Sequence, residues 1–97
     1  MDTMHPGEYF AMSHVEPYQI EAAEVAATLG ISPELVLAFL ARQVDVTAES
    51  ALRLSLAFER SAESWLNMQN KFDLAQAREN VDVPMARPFS FPRKDAA

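Results

Sequence analysis

A single glycine between two helical patterns constrains this chain more than any other feature. "AAEVAATLG" runs into "ISPELVLAFLARQ", so a short Ala-rich segment ends at Gly30 and another begins two residues later. Ile20, Val25, Ala26 and Leu29 recur at helical spacing in the first. Val36, Phe39 and Leu40 give the i, i+3, i+4 stripe of the second. Gly30 supplies the left-handed stop that helix ends favour, and Ser32-Pro33 is a cap followed by a first-turn proline. Helices joined by so short a link must turn sharply onto a common core. Residues 20–42 therefore predict a helix-turn-helix.

The remaining segments are also helical. "HPGEYFAMSHV" predicts a helix that opens at Pro6, carries Glu8 in its first turn and stops at Glu16-Pro17. Thr47 caps "AESALRLSLAFER", with Ala51, Leu54 and Phe58 inward and Arg53 and Glu59 outward. Ser61 caps "AESWLNMQNKFDLAQAREN". Trp65, Met68, Gln69 and Phe72 share one face of that helix, and Leu66 and Asp73 lie on the adjoining one. The fold class predicted is all-α: a five-helix domain over residues 1–80 with an extended, Pro-containing C-terminal tail over 81–97. The tail has two readings, a disordered end or an edge strand. Phe89 and Phe91 alternate in it, and Arg87, Arg93 and Lys94 make it basic. It is suited to pairing across a dimer, adding to a partner sheet or lying over an acidic patch.

The net charge of −6 is unevenly placed. Residues 1–47 hold Arg42 alone against Asp2, Glu8, Glu16, Glu21, Glu24, Glu34 and Asp45, whereas the second half balances. Lys and Arg supply the affinity for phosphate by displacing counterions, so an acidic half argues against autonomous DNA binding.

Several classes are unsupported. Without cysteine there is no disulfide and no thiolate metal site, which fits a cytoplasmic protein. No apolar run approaches the roughly 18 residues of a membrane span, and no signal-peptide pattern opens the chain. His5 and His14, nine apart, lack the spacing that puts two ligands on one helical face. No nucleophile set, phosphate loop or carboxylate pair suggests an enzyme, a cofactor or a small-molecule ligand. Trp65 reads as core, with an N–H that needs a partner. Asn67, Gln69 and Asp73 are suited to a polar network bracing the last helices or a dimer.

"HPGE", the helix-turn-helix, "DVTAESALRLSLAF" and "WLNMQNKFDLAQA" together resemble the HigA-type (VapI-like) antitoxins of the lambda-repressor-like (XRE) helix-turn-helix class. The resemblance runs from about His5 to Asn80. Its structural signature is Ala51, Leu52, Arg53 and Leu54, then Trp65, Leu66, Asn67, Gln69, Asp73 and Leu74. It implies a homodimer that represses transcription at operator DNA and neutralises a ribonuclease-type toxin within a toxin–antitoxin system.

The departures from the family pattern fall on the DNA-reading face. Where the family opens its second helix with Ser or Thr and then Gln, this chain has Glu21 and Ala22. Where it places base and phosphate contacts after the cap Ser32, this chain has Pro33, Glu34 and, one turn on, Leu37. Ala41-Arg42 replaces the closing Asn-Gly, and Gln43, Val44 and Asp45 replace the basic turn. Each direct base contact is worth about 1–3 kcal/mol of discrimination, and the donors for most are missing. Ala22, Ser32, Pro33, Glu34, Leu37 and Arg42 are thus the nucleic-acid positions carried over by motif. Leu35, Leu37, Ala38 and Ala41 form a candidate partner surface. Two functions remain open: an antitoxin-like regulator with a weakened reading face, or a protein–protein interaction module on a helix-turn-helix scaffold that no longer binds DNA.

Overall fold

His5 is where the chain becomes helical in the computed structural model, which describes residues 3–80 and 86–93. The His5 imidazole Nδ1 accepts the Gly7 N–H at 2.9 Å and so caps helix α1 (Pro6–Phe10). Beyond α1 the chain continues as a π-helix over Ala11–Val15, with Glu16 donating to the Ala11 carbonyl and Ile20 to that of Val15. The wider turn lays His14 flat on Phe10, their rings 5.2 Å apart. Helices α2 (Ala22–Leu29), α3 (Pro33–Leu40), α4 (Ala48–Ala57) and α5 (Ala62–Asn80) follow. The five-helix, all-α architecture read from the sequence is the one observed.

The caps work as the sequence indicates. Ser32 Oγ accepts from Leu35, Thr47 Oγ1 from Ser50 and Ser61 Oγ from Ser64. α4 packs on α5, α2 on α3, and α1 against α3 and α5, while α2 also meets α4. Phe10, Val25, Val36, Ala51, Leu54 and Trp65 form the centre of the core. Gly7 explains why α1 and α3 lie so close. A Cβ there would come within 1.8 Å of the Phe39 carbonyl oxygen, so the two backbones touch only because no side chain intervenes.

Three expectations need correction. α4 ends at Ala57 rather than running to Arg60, because Phe58 is extended (φ −131°) and brings its ring edge-on to Phe10 at 4.9 Å. Arg53 does not point outward: it is half-buried and donates to the Leu29 carbonyl at 2.8 Å. Trp65 is buried, but its Nε1 has no hydrogen-bond partner, because Tyr9, Phe10 and His14 rings enclose it where a polar group was expected. Residues 86–93 have no regular secondary structure and are all exposed, and Phe89 and Phe91 pack on each other at 4.7 Å. The boundary at 80/81 and Lys94 border or fall among residues outside those described.

Candidate nucleic-acid interface

α2 and α3 cross at 112°, within the range of a helix-turn-helix. Gly30, at φ 72°, donates to the Ala26 carbonyl and closes α2. Arg53 reaches across from α4 to the carbonyls of Leu29 and Gly30, at 2.8 and 3.4 Å, while Glu49 holds its guanidinium at 3.0 Å. The angle of the motif is therefore fixed from behind by contacts to main-chain oxygens.

The front of the motif differs from a phosphate-binding surface. At the start of α2 the Glu24 carboxylate accepts the Glu21 N–H at 3.2 Å. Two carboxylates thus occupy the end where free N–H groups and the helix dipole would favour an anion. Ala22 beside them is half-buried. On α3, Ser32 spends its hydroxyl on the cap, and Pro33 offers no N–H. Glu34 is exposed, as are Leu35 at 43% and Leu37 at 56%. Ala41 is exposed and Ala38 half-buried. Between Ile20 and Ala41 the sequence has no Lys or Arg. Arg42 closes α3 in the left-handed conformation, at φ 62°, and its guanidinium lies 3.4 Å from Glu8. Of the apolar residues proposed as a partner surface, Leu37, Ala38 and Ala41 share one side of α3, whereas Leu35 borders the groove between α2, α3 and α4, and Arg42, next to Ala41, is paired with an acid.

The signature residues separate into two groups. Ala51, Leu54, Trp65 and Gln69 are buried, and Leu66 is half-buried. Leu52, Asn67 and Leu74 are exposed, with Leu52 at 58%. Gln69 is the hub of a polar network that includes Asp73, as its place on α5 suggests, and adds Val46, Asp45 and His5, which local sequence patterns do not reveal. Its Oε1 accepts the Val46 N–H at 2.8 Å, and its Nε2 donates to Asp45 at 3.2 Å and Asp73 at 3.0 Å. Asp45 in turn faces His5 Nε2 at 3.4 Å. Since His5 Nδ1 is an acceptor, the ring proton lies on Nε2, toward Asp45. The network ties the N-terminus, the loop after α3 and α5 together. Asn67 is exposed and takes no part in it. Nine residues separate His5 from His14 and forty separate it from Asp45; only the three-dimensional contact shows its role.

Arg60 makes one further electrostatic contact, over the Tyr9 ring at 4.7 Å from its centroid. Its hydrogen bonding holds the Tyr9 phenol below the ordinary value. Among the described residues no group of His, Asp and Glu side chains is placed to hold a metal ion. No single described helix is long and apolar enough to cross a membrane.

No family model matches the chain. It is 34% identical over 91 residues to virulence-associated protein I of Dichelobacter nodosus, an alignment covering 89% of this chain and 84% of that one. Its fold is similar to an addiction-module antidote protein of the HigA family from Coxiella burnetii, with a TM-score of 0.76 and 34% identity over 81% of this chain and 86% of that one. A Pseudomonas aeruginosa protein solved in complex with its operator DNA is also similar, with a TM-score of 0.75 and 31% identity over 80% and 86% of the two chains.

Proposed function

We propose, starting from the fact that this chain belongs to the HigA-type, VapI-like antitoxins of the helix-turn-helix class, that it is a homodimeric regulator of a toxin–antitoxin system whose DNA-reading face is weakened. The observation that carries this reading is the surface of α3, where Glu34, Leu35 and Leu37 are exposed and Arg42 is paired with Glu8. The solved relative bound to operator DNA makes the operator the natural ligand of the scaffold. What remains here for DNA is Arg42, Glu34, Ser32 and the backbone at the start of α3. Such binding is dominated by few charges and discriminates poorly between sequences. The domain of residues 1–80 carries these functions. Leu52 and Leu56 on α4 and Leu74 on α5, all exposed, supply apolar surface for a homodimer. The acidic first half suits a basic, ribonuclease-type toxin.

The exposed leucines of α3 favour a second reading: a protein-binding module that docks a partner helix and leaves DNA aside. Fluorescence anisotropy with the chain's own promoter duplex and a random duplex, at low and physiological salt, tests the first reading. We expect a slight promoter preference at low salt that is lost at physiological salt. A preference surviving physiological salt would overturn the weakened face. Leu37→Arg separates the two readings. It raises DNA retention under the first and abolishes partner binding under the second.

A further inference from the structure

Arg42 sits where stability does not explain it. It follows Ala41, the C-cap of α3. Its N–H donates to the Phe39 carbonyl and that of Gln43 to the Ala38 carbonyl, the paired bonds of a left-handed helix stop. Glycine suits such a position, and a side chain there, at φ 62°, is strained. The ion pair with Glu8 does little to offset the strain, because the two side chains meet at 3.4 Å and remain 58% and 41% exposed. Strain that no internal contact offsets points to a use outside the folded chain. Composition narrows that use. From Ile20 to Gln43 Arg42 is the only Lys or Arg, so it is the one cation that the helix-turn-helix itself offers to a phosphate. Its guanidinium is nevertheless engaged elsewhere. It lines a hollow of about 400 Å3 with Glu8 of α1 and with Phe72 and Glu79 of α5, and neither helix belongs to the motif. A carboxylate and a phosphate hold a guanidinium through the same charge-assisted hydrogen bonds.

We propose that Glu8 is an internal competitor of DNA phosphate for Arg42, an autoinhibitory contact that DNA must displace before the motif's one cation reaches the backbone. Glu8 acts through Arg42 and is a positioning residue, not a DNA contact. This inference rests on the weakened DNA-reading face of the reading above and deepens it: part of the weakness resides in α1, outside the motif.

Fluorescence anisotropy of the full chain on a labelled promoter duplex and on a random duplex, across a salt series, tests it. The parent is compared with Glu8→Gln, with Arg42→Gln and with the chain carrying both. Both side chains are largely exposed, so these exchanges leave the core intact. Glu8→Gln is expected to tighten binding about two- to fivefold at low salt, the span that an exposed pair can withhold. The gain should be equal on both duplexes, because a phosphate contact carries no sequence information. The slope of log affinity against log salt should steepen by up to about 0.9, one phosphate contact. Both gains should vanish when Arg42→Gln is also present. A gain that persists beside Arg42→Gln overturns the competition, since Glu8 then acts only by repelling DNA. A gain confined to the promoter duplex overturns phosphate as the rival. Binding by the parent that Glu8→Gln leaves unchanged overturns the inference and leaves the weakened face standing. No binding by any of the four chains at the lowest salt overturns both.

Discussion

Replacing Gly7 by alanine probes the closest approach in the fold. The added Cβ would lie 1.8 Å from the Phe39 carbonyl oxygen, 2.9 Å from its carbon and 3.2 Å from His5 Nδ1. Real Cβ contacts stay beyond 3.0 Å, so α1 has to retreat from α3 by at least about 1.2 Å, the difference between those two distances. The obstacle is backbone and cannot rotate away. Retreat unseats Phe10, which is wholly buried, and strains the His5 cap. Overpacking of this kind costs about 1–3 kcal/mol and sometimes more. Alanine's helix propensity returns less than about 1 kcal/mol, and less still in the first turn. The net expectation is a loss of about 2 kcal/mol, or about 8–16 °C in Tm for a domain of this size. Urea unfolding followed by Trp65 fluorescence reads it directly, since Trp65 is the only tryptophan and is buried. Protein concentration is held fixed so that association does not distort the comparison. Gly30→Ala is the reference. There the nearest obstacle is the flexible end of Arg53 at 3.0 Å, and the cost is the left-handed φ of 72° alone, about 1 kcal/mol. A Gly7→Ala chain within about 0.5 kcal/mol of the parent, well below the overpacking range, would refute the reasoning. So would a Gly7→Ala chain more stable than Gly30→Ala.

Three further outcomes are expected. Gln69→Leu removes the acceptor of the buried Val46 N–H and the donor to Asp45 and Asp73, and should cost about 1–3 kcal/mol in the same urea assay; a neutral effect would deny the network its role. Arg42→Gly relieves a left-handed residue at φ 62° at the expense of a largely exposed pair with Glu8 that contributes little. It should stabilise the chain by about 0.5–1 kcal/mol, the penalty of a side chain in that conformation less the entropy of glycine, and a lower midpoint would contradict it. Arg60→Ala should return the lowered Tyr9 phenol toward its ordinary value, seen as a later step in an ultraviolet pH titration. Because Tyr9 ionises more easily folded than unfolded, its contribution to stability appears only as pH rises toward the phenol range and is absent at neutral pH. Loss of stability at neutral pH would therefore have another origin.

The helix limits were legible because they are local. Gly30, Ser32, Thr47 and Ser61 each announce an end or a start within a few residues, and the structure uses all four. Leu35 and Leu37 fall outside the Val36/Phe39/Leu40 stripe by period alone, and they are exposed. What escaped sequence reading depends on distant contact. Arg53 has the helical period of an outward residue, yet carbonyls more than twenty positions earlier draw it in. His5 could be weighed only by its distance from His14, while its partners are Gly7 and Asp45. Nothing in "AMSHV" distinguishes a π-turn from an α-turn; packing of His14 on Phe10 accompanies it. The end of α4 at Ala57 follows from Phe58 turning toward Phe10, a partner that no window around residue 58 contains.

The Arg53 clamp has a consequence for how such a surface changes over time. It grips carbonyl oxygens of Leu29 and Gly30, and every residue type supplies a carbonyl. The posture of α3 is thus maintained by atoms that substitution at Glu34, Leu35, Leu37 or Ala41 leaves untouched. Its outward face is a replaceable panel on a fixed mount. Lineages can exchange a basic panel for an apolar one without renegotiating the fold. The same independence lets an engineer install a new set of base-contacting side chains there and keep Gly7, Gly30 and Arg53 as they are.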